Sequence, residues 1–132
     1  MWLLAIFALA SSARAGQPRV TFGGETFGPR RALICTWFTN FENSRFEQCQ
    51  DETGKLLQEN DGASIKCAPG ICDRLDTEAR KAAHWRKPEP PWGTFTVKFV
   101  GRISLYPHEK RYLGDAAKNV LIEELKSVHV AK

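Results

Sequence analysis

Four cysteines (Cys35, Cys49, Cys67 and Cys72), three histidines (His84, His108 and His129) and the adjacent Glu123–Glu124 are the residues best suited to chemistry in this chain. A metal reading would join Cys67 and Cys72 to His84. That cysteine spacing is wider than the commonest zinc knuckle, and no second close pair supplies further ligands. A hydrolytic reading needs a nucleophile, a base and an orienting group. The sequence holds neither Gly-x-Ser-x-Gly nor His-Glu-x-x-His, and the His108-Glu109 start of the latter meets Tyr112 where the second histidine belongs. Neighbouring strand residues point to opposite faces, so Glu123 and Glu124 do not form a carboxylate pair. No metal, cofactor or catalytic residue is expected.

Disulfides remain for the cysteines. Four of them allow three pairings. Cys67-Ala-Pro-Gly-Ile-Cys72 encloses a Pro-Gly turn that can bring its two sulfurs together, which leaves Cys35 for Cys49. The rival pairing joins Cys49 to Cys67 or Cys72 and pins the middle loop to the first sheet.

Aromatic residues offer binding in place of catalysis. Trp37, Phe38, Phe41 and Phe46 gather near Arg31, Glu42, Ser44 and Arg45, and Tyr106, His108 and Tyr112 gather near Lys110 and Arg111. Rings beside cations suit stacking on oligosaccharides or single strands, although the core of so small a chain also claims many of them. Within the first cluster, Glu42 and Ser44 are expected to bond local backbone, and Arg45 to pair with Glu42 or Glu47. The two clusters define a candidate surface of Trp37, Glu42, Ser44, Arg45, Tyr106, His108 and Tyr112.

The compartment is written at the N-terminus. Trp2 to Ala10 is unbroken apolar sequence, followed by Ser11-Ser12 and a small-x-small Ala13-Arg14-Ala15. This order predicts a signal peptide over residues 1–15, removed on export to the periplasm or beyond, and hence an oxidising environment. The apolar run falls well short of the ~20 residues of a membrane span. Residues 16–132 then form one domain, expected to be monomeric. Its net charge drops from +4 to +3 with loss of Arg14, and the basic residues are dispersed, which argues against nucleic acid as partner.

The elements that must hold these residues are mainly strands. Val20–Gly24 reads as a strand entering a turn, and Arg31–Phe38 as a strand buried on at least one face. Asn40–Phe46 is a connection, and Gln50–Gly62 a polar loop or hairpin with Gly54 and Asp61-Gly62 as turn signals. Asp73–Trp85 predicts a helix with a narrow stripe of Leu75, Ala79, Ala82 and Ala83, capped by Asp73 and stopped by Pro88, Pro90 and Pro91. Trp92–Ile103 is the clearest strand, with Phe95, Val97 and Phe99 on one face and Gly101 marking a bend. Val120–Val130 changes phase at Glu123-Glu124, which signals a bulge. Two or three strands, a helix and two further strands predict a small OB-like antiparallel barrel of five or six strands, with a β-sandwich or a cystatin-like helix on a sheet as the alternatives.

Asn40-Phe-Glu-Asn-Ser-Arg-Phe-Glu-Gln-Cys49 resembles the G-F-E-x-S-x-F-x-P-C element of small exported bacterial OB-fold-like proteins of uncharacterised function, with Asn40 and Gln48 standing where that element has Gly and Pro. Val97–Val128, with Phe99-Val-Gly-Arg102, Tyr106-Pro-His108, Tyr112-Leu-Gly114 and Val120-Leu-Ile-Glu-Glu124, is similar to their final β-β unit. The resemblance implies envelope residence and an OB-like barrel, and it carries no catalytic residue. A non-enzymatic barrel binding an oligosaccharide or protein partner in the envelope is the leading expectation. An inhibitor of a secreted enzyme and a hydrolase with an unfamiliar site are its rivals.

Overall fold

The computed structural model describes residues 19–56, 62–111 and 115–132. The expected signal peptide, Tyr112 and residues 57–61 of the expected Gln50–Gly62 loop lie outside them.

Among the described residues, seven strands and one helix follow in the order β1 (Val20–Phe22), β2 (Glu25–Phe27), β3 (Arg31–Thr39), β4 (Ser44–Asp51), β5 (Ser64–Cys67), α1 (Ile71–Ala83), β6 (Gly93–Ile103) and β7 (Asn119–Val130). β1 and β2 form a hairpin around Gly23-Gly24, whose positive φ values of 60° and 80° suit glycine. The other five strands form a curled sheet in the order β4-β3-β6-β7-β5. Its outer strands meet again at one antiparallel bridge, Phe46 to Ala63, so the sheet becomes a partly open, OB-like barrel. The helix stands between the third and fourth barrel strands, where the sequence puts it. One pairing departs from the antiparallel expectation: β5 runs parallel to β7. The strand β4 also begins at Ser44, inside the segment expected to be a connection.

Period-two alternation builds the core. Leu33, Cys35 and Trp37 of β3 point inward to meet Phe95, Val97 and Phe99 of β6. In β7 the inward set is Val120, Ile122, Leu125 and Val128. That spacing breaks strict alternation because Glu123 and Lys126 are extra residues opposite β6, one at each register shift. Gly101 lies at one of these shifts, where a Cβ would collide with the Leu121 carbonyl and the Phe99 ring. The bend and the bulge expected from sequence are the same feature.

Both disulfides follow the expected pairing, Cys35–Cys49 and Cys67–Cys72. The first joins directly opposed residues of β3 and β4. The second ties the end of β5 to the second residue of α1, and this staple moves the helix start forward to Ile71. Gly70, at φ 81°, is the N-cap, so Asp73 lies within the first turn and caps nothing. His84 takes a left-handed conformation (φ 53°) and ends the helix before Trp85, while Trp85 N–H donates to the Arg80 carbonyl at 2.9 Å. Leu75 and Ala79 are the buried stripe against the sheet.

Closure of the barrel rests on Gly62, at φ 71°, where a Cβ would run into the Phe46 carbonyl and the Glu47 backbone. Gly62→Ala is expected to cost about 1–3 kcal/mol of stability, measured by urea unfolding of the oxidised protein. Wild-type stability in this variant would mean that the bridge does not constrain the fold.

Candidate functional site

The residues flagged by sequence separate into two clefts. The first opens at the barrel mouth, between the β3–β4 loop and α1, and has a volume of about 450 Å³. Asn40 organises the loop: its Oδ1 accepts the N–H groups of Glu42 at 2.8 Å and Asn43 at 2.7 Å, and its own N–H donates to the Asn43 carbonyl at 2.8 Å. The tight turn leaves the Phe41 ring 73% exposed. Ser44 Oγ accepts the indole N–H of Trp37 at 2.9 Å, and the Trp37 ring lies 5.2 Å from that of Phe95. Trp37 is therefore a fixed, nearly buried floor. Leu75, Asp76 and Pro91 form the facing wall.

Trp37, Glu42 and Ser44 thus meet in one place. Arg45 does not join them: it is half-buried on β4, and it forms no ion pair with Glu42 or Glu47 among the described residues. The loop needs no such pair, because the Asn40 amide already satisfies its backbone.

Three rings continue the cleft across the surface. Phe41 and Trp92 have centroids 5.7 Å apart, and Trp92 and Trp85 follow at 6.2 Å. Trp92 is 48% exposed. Arg80 holds the segment that presents them. Its guanidinium pairs with Asp76 at 2.7 Å and donates to the carbonyls of Lys87 at 2.6 Å and of Pro88 and Glu89 at 3.1 Å each. Trp85 Nε1 donates to the Glu89 carbonyl at 2.9 Å, and Lys87 lies 5.2 Å from the Trp85 ring centre. Sequence reasoning missed Arg80, Trp85 and Trp92 as site residues. Two tryptophans flanking a proline-rich segment were the available signal.

The second cleft, of about 530 Å³, lies between the β1–β2 hairpin, Lys66 of β5 and the β6–β7 loop, and contains Tyr106 and His108. Asp115, with 2% of its side chain exposed, anchors that loop. It accepts from the Ser64 hydroxyl and from the Arg111 N–H, each at 3.1 Å, and Ser64 Oγ accepts the Ala116 N–H at 3.1 Å. Burial pushes the Asp115 carboxyl up, but these two bonds and the nearby His108 and Arg111 outweigh it and hold the group below its ordinary value of 3.8.

His108 Nδ1 is 3.9 Å from Asp115, so Ser, Asp and His are neighbours here. Their order is not that of a hydrolytic triad, in which histidine stands between the other two. Ser64 donates a hydrogen bond to the carboxylate and serves as a strut. His84 and His129 are exposed on separate elements. Glu123 and Glu124 both reach Arg30, at 3.1 and 3.3 Å, because the bulge turns them to one side, and Arg102 also pairs with Glu123 at 3.1 Å. They form an ion network. Among the described residues, no group of three or more His, Cys, Asp or Glu side chains could hold a metal ion, and no helix is long and apolar enough to cross a membrane.

A carboxyl held low when folded adds stability above its unfolded pKa and loses it as pH falls through the folded value. Asp115→Asn is expected to cost about 1–3 kcal/mol at neutral pH and to unfold with a shallower acid-side decline below pH 3.8 than wild type. Parallel thermal melts across the acid range check both, and parallel declines would remove Asp115 from this role. No family model matches the sequence, and searches of curated proteins and of solved structures return no match.

Proposed function

We propose that this protein is an exported, non-enzymatic binding barrel whose mouth cleft takes an envelope oligosaccharide. The observation that carries the reading is the run Phe41–Trp92–Trp85, two exposed rings and a half-buried one, in segments held beside a preformed cleft by Asn40 and Arg80. The exposed Phe41 and Trp92 rings do little for the core, and they offer a ligand contact area that needs little ordering on binding. Sugar rings present flat C–H faces to such side chains. Glu42 and Asp76 at the cleft supply acceptors for hydroxyl groups. This mixture of apolar wall and few convergent polar groups is the usual make-up of a ligand pocket.

Export is supported by the leader-like residues 1–15 and by two disulfides, which persist in oxidising compartments. The resemblance to exported OB-like proteins points the same way.

Trp92→Ala is expected to weaken binding of soluble glycan-strand fragments about tenfold, read from intrinsic tryptophan fluorescence, with the melting temperature unchanged. A wild-type chain that shows no saturable change with these fragments overturns the oligosaccharide reading. In that case, stoichiometric capture of one envelope protein by wild type and not by Trp92→Ala would identify a protein-binding surface instead.

A further inference from the structure

The second cleft carries an unassigned site of its own. Asn119 is 2% exposed and lines it. The Asn119 amide N–H donates to Glu25, which fixes the orientation of the side chain and leaves Oδ1 buried without a partner. His108 Nε2 is the other buried atom without a partner among the described residues. The His108 Nδ1 lies 2.9 Å from the Glu109 carbonyl, which only accepts, so Nδ1 donates there. The orphaned Asn119 Oδ1 can only accept, and buried acceptors are rarely left unmet.

The charges along the same cleft are separated. Glu25 accepts from Asn119 and has no cationic partner among the described residues, and Lys66 has no carboxylate partner among them. The two line one cleft without pairing with each other. A single positive donor would meet Glu25 and Asn119 Oδ1, and a carboxylate on the same molecule would meet Lys66, with Arg111 at the rim.

We propose that this cleft binds a small zwitterion, an α-amino acid or dipeptide, with its ammonium group on Glu25 and Asn119 and its carboxylate on Lys66. The site is separate from the aromatic mouth and does not depend on oligosaccharide binding there.

The test is amide NMR of the oxidised protein titrated at millimolar concentration with each common α-amino acid and with alanyl-alanine. Methylammonium, acetate and glucose serve as the single-charge and neutral comparisons. Saturable shifts centred on Lys66, His108 and Asn119 are expected with at least one zwitterion, and binding about tenfold weaker with the comparisons. Glu25→Gln keeps an acceptor for Asn119 while removing the charge. It should weaken the zwitterion about tenfold and leave the melting temperature unchanged, and Trp92→Ala should leave the binding intact. No saturable shift with any zwitterion, glucose saturating in preference to all of them, or unchanged affinity in Glu25→Gln would each overturn the proposal.

Discussion

Two backbone hydrogen bonds make a barrel out of an open sheet. Phe46 N–H donates to the Ala63 carbonyl at 2.9 Å, and Ala63 N–H to the Phe46 carbonyl at 2.8 Å. Among the described residues nothing else in the hydrogen-bond ladder joins β4 to β5. The same Phe46 sends its ring into the core, stacked on Phe99 with centroids 5.5 Å apart and planes 14° from parallel. Closure and core packing therefore meet at one residue. Beyond the bridge the ladder stops: Ser44 and Ile65, which would face each other if it continued, line the mouth cleft instead. Alternation along β5 then sends Ile65 to the mouth and Lys66 to the second cleft. One short strand thus contributes to both candidate sites.

The disulfides act on the two strands that flank this seam. Cys49 fastens β4 to β3, its neighbour on one side, across a separation of 14 residues, a closure worth about 3 kcal/mol in the chain-entropy account. Cys67 fastens the end of β5 to α1. Neither bridge spans the seam itself. They steady its two lips, and the join is left to Phe46, Ala63 and the conformational freedom of Gly62.

The legible parts of the fold were those whose information is local. Phe95, Val97 and Phe99 alternate strictly, and Gly101 marks the bend. The helix stripe of Leu75 and Ala79 is readable from spacing alone. Its boundaries were displaced because they depend on a disulfide and on the left-handed His84, which no periodicity records. The strand β5 has four residues, divided between two clefts and paired in parallel with a strand 50 or more positions away, so it left no pattern to read. The candidate surface was half legible for the same reason. Trp37, Glu42 and Ser44 are close in sequence and meet in space. Arg80 gave no site signal, because the carbonyls it binds belong to a proline-rich segment without periodicity. Ser64 and Asp115 are linked across 51 residues, and only the closed barrel brings them together.

Both clefts depend on the seam being closed. Native-state hydrogen exchange of the oxidised chain, resolved by amide, tests this directly. The Phe46 and Ala63 amides should be protected to the same degree as those of Val97 and Phe99 in the middle of the sheet, and should exchange only when the whole barrel opens. If those two amides exchange as fast as the exposed turn at Thr53 while Val97 and Phe99 stay protected, the sheet is open at β4 and β5. The two clefts would then not be the fixed sites described for this fold.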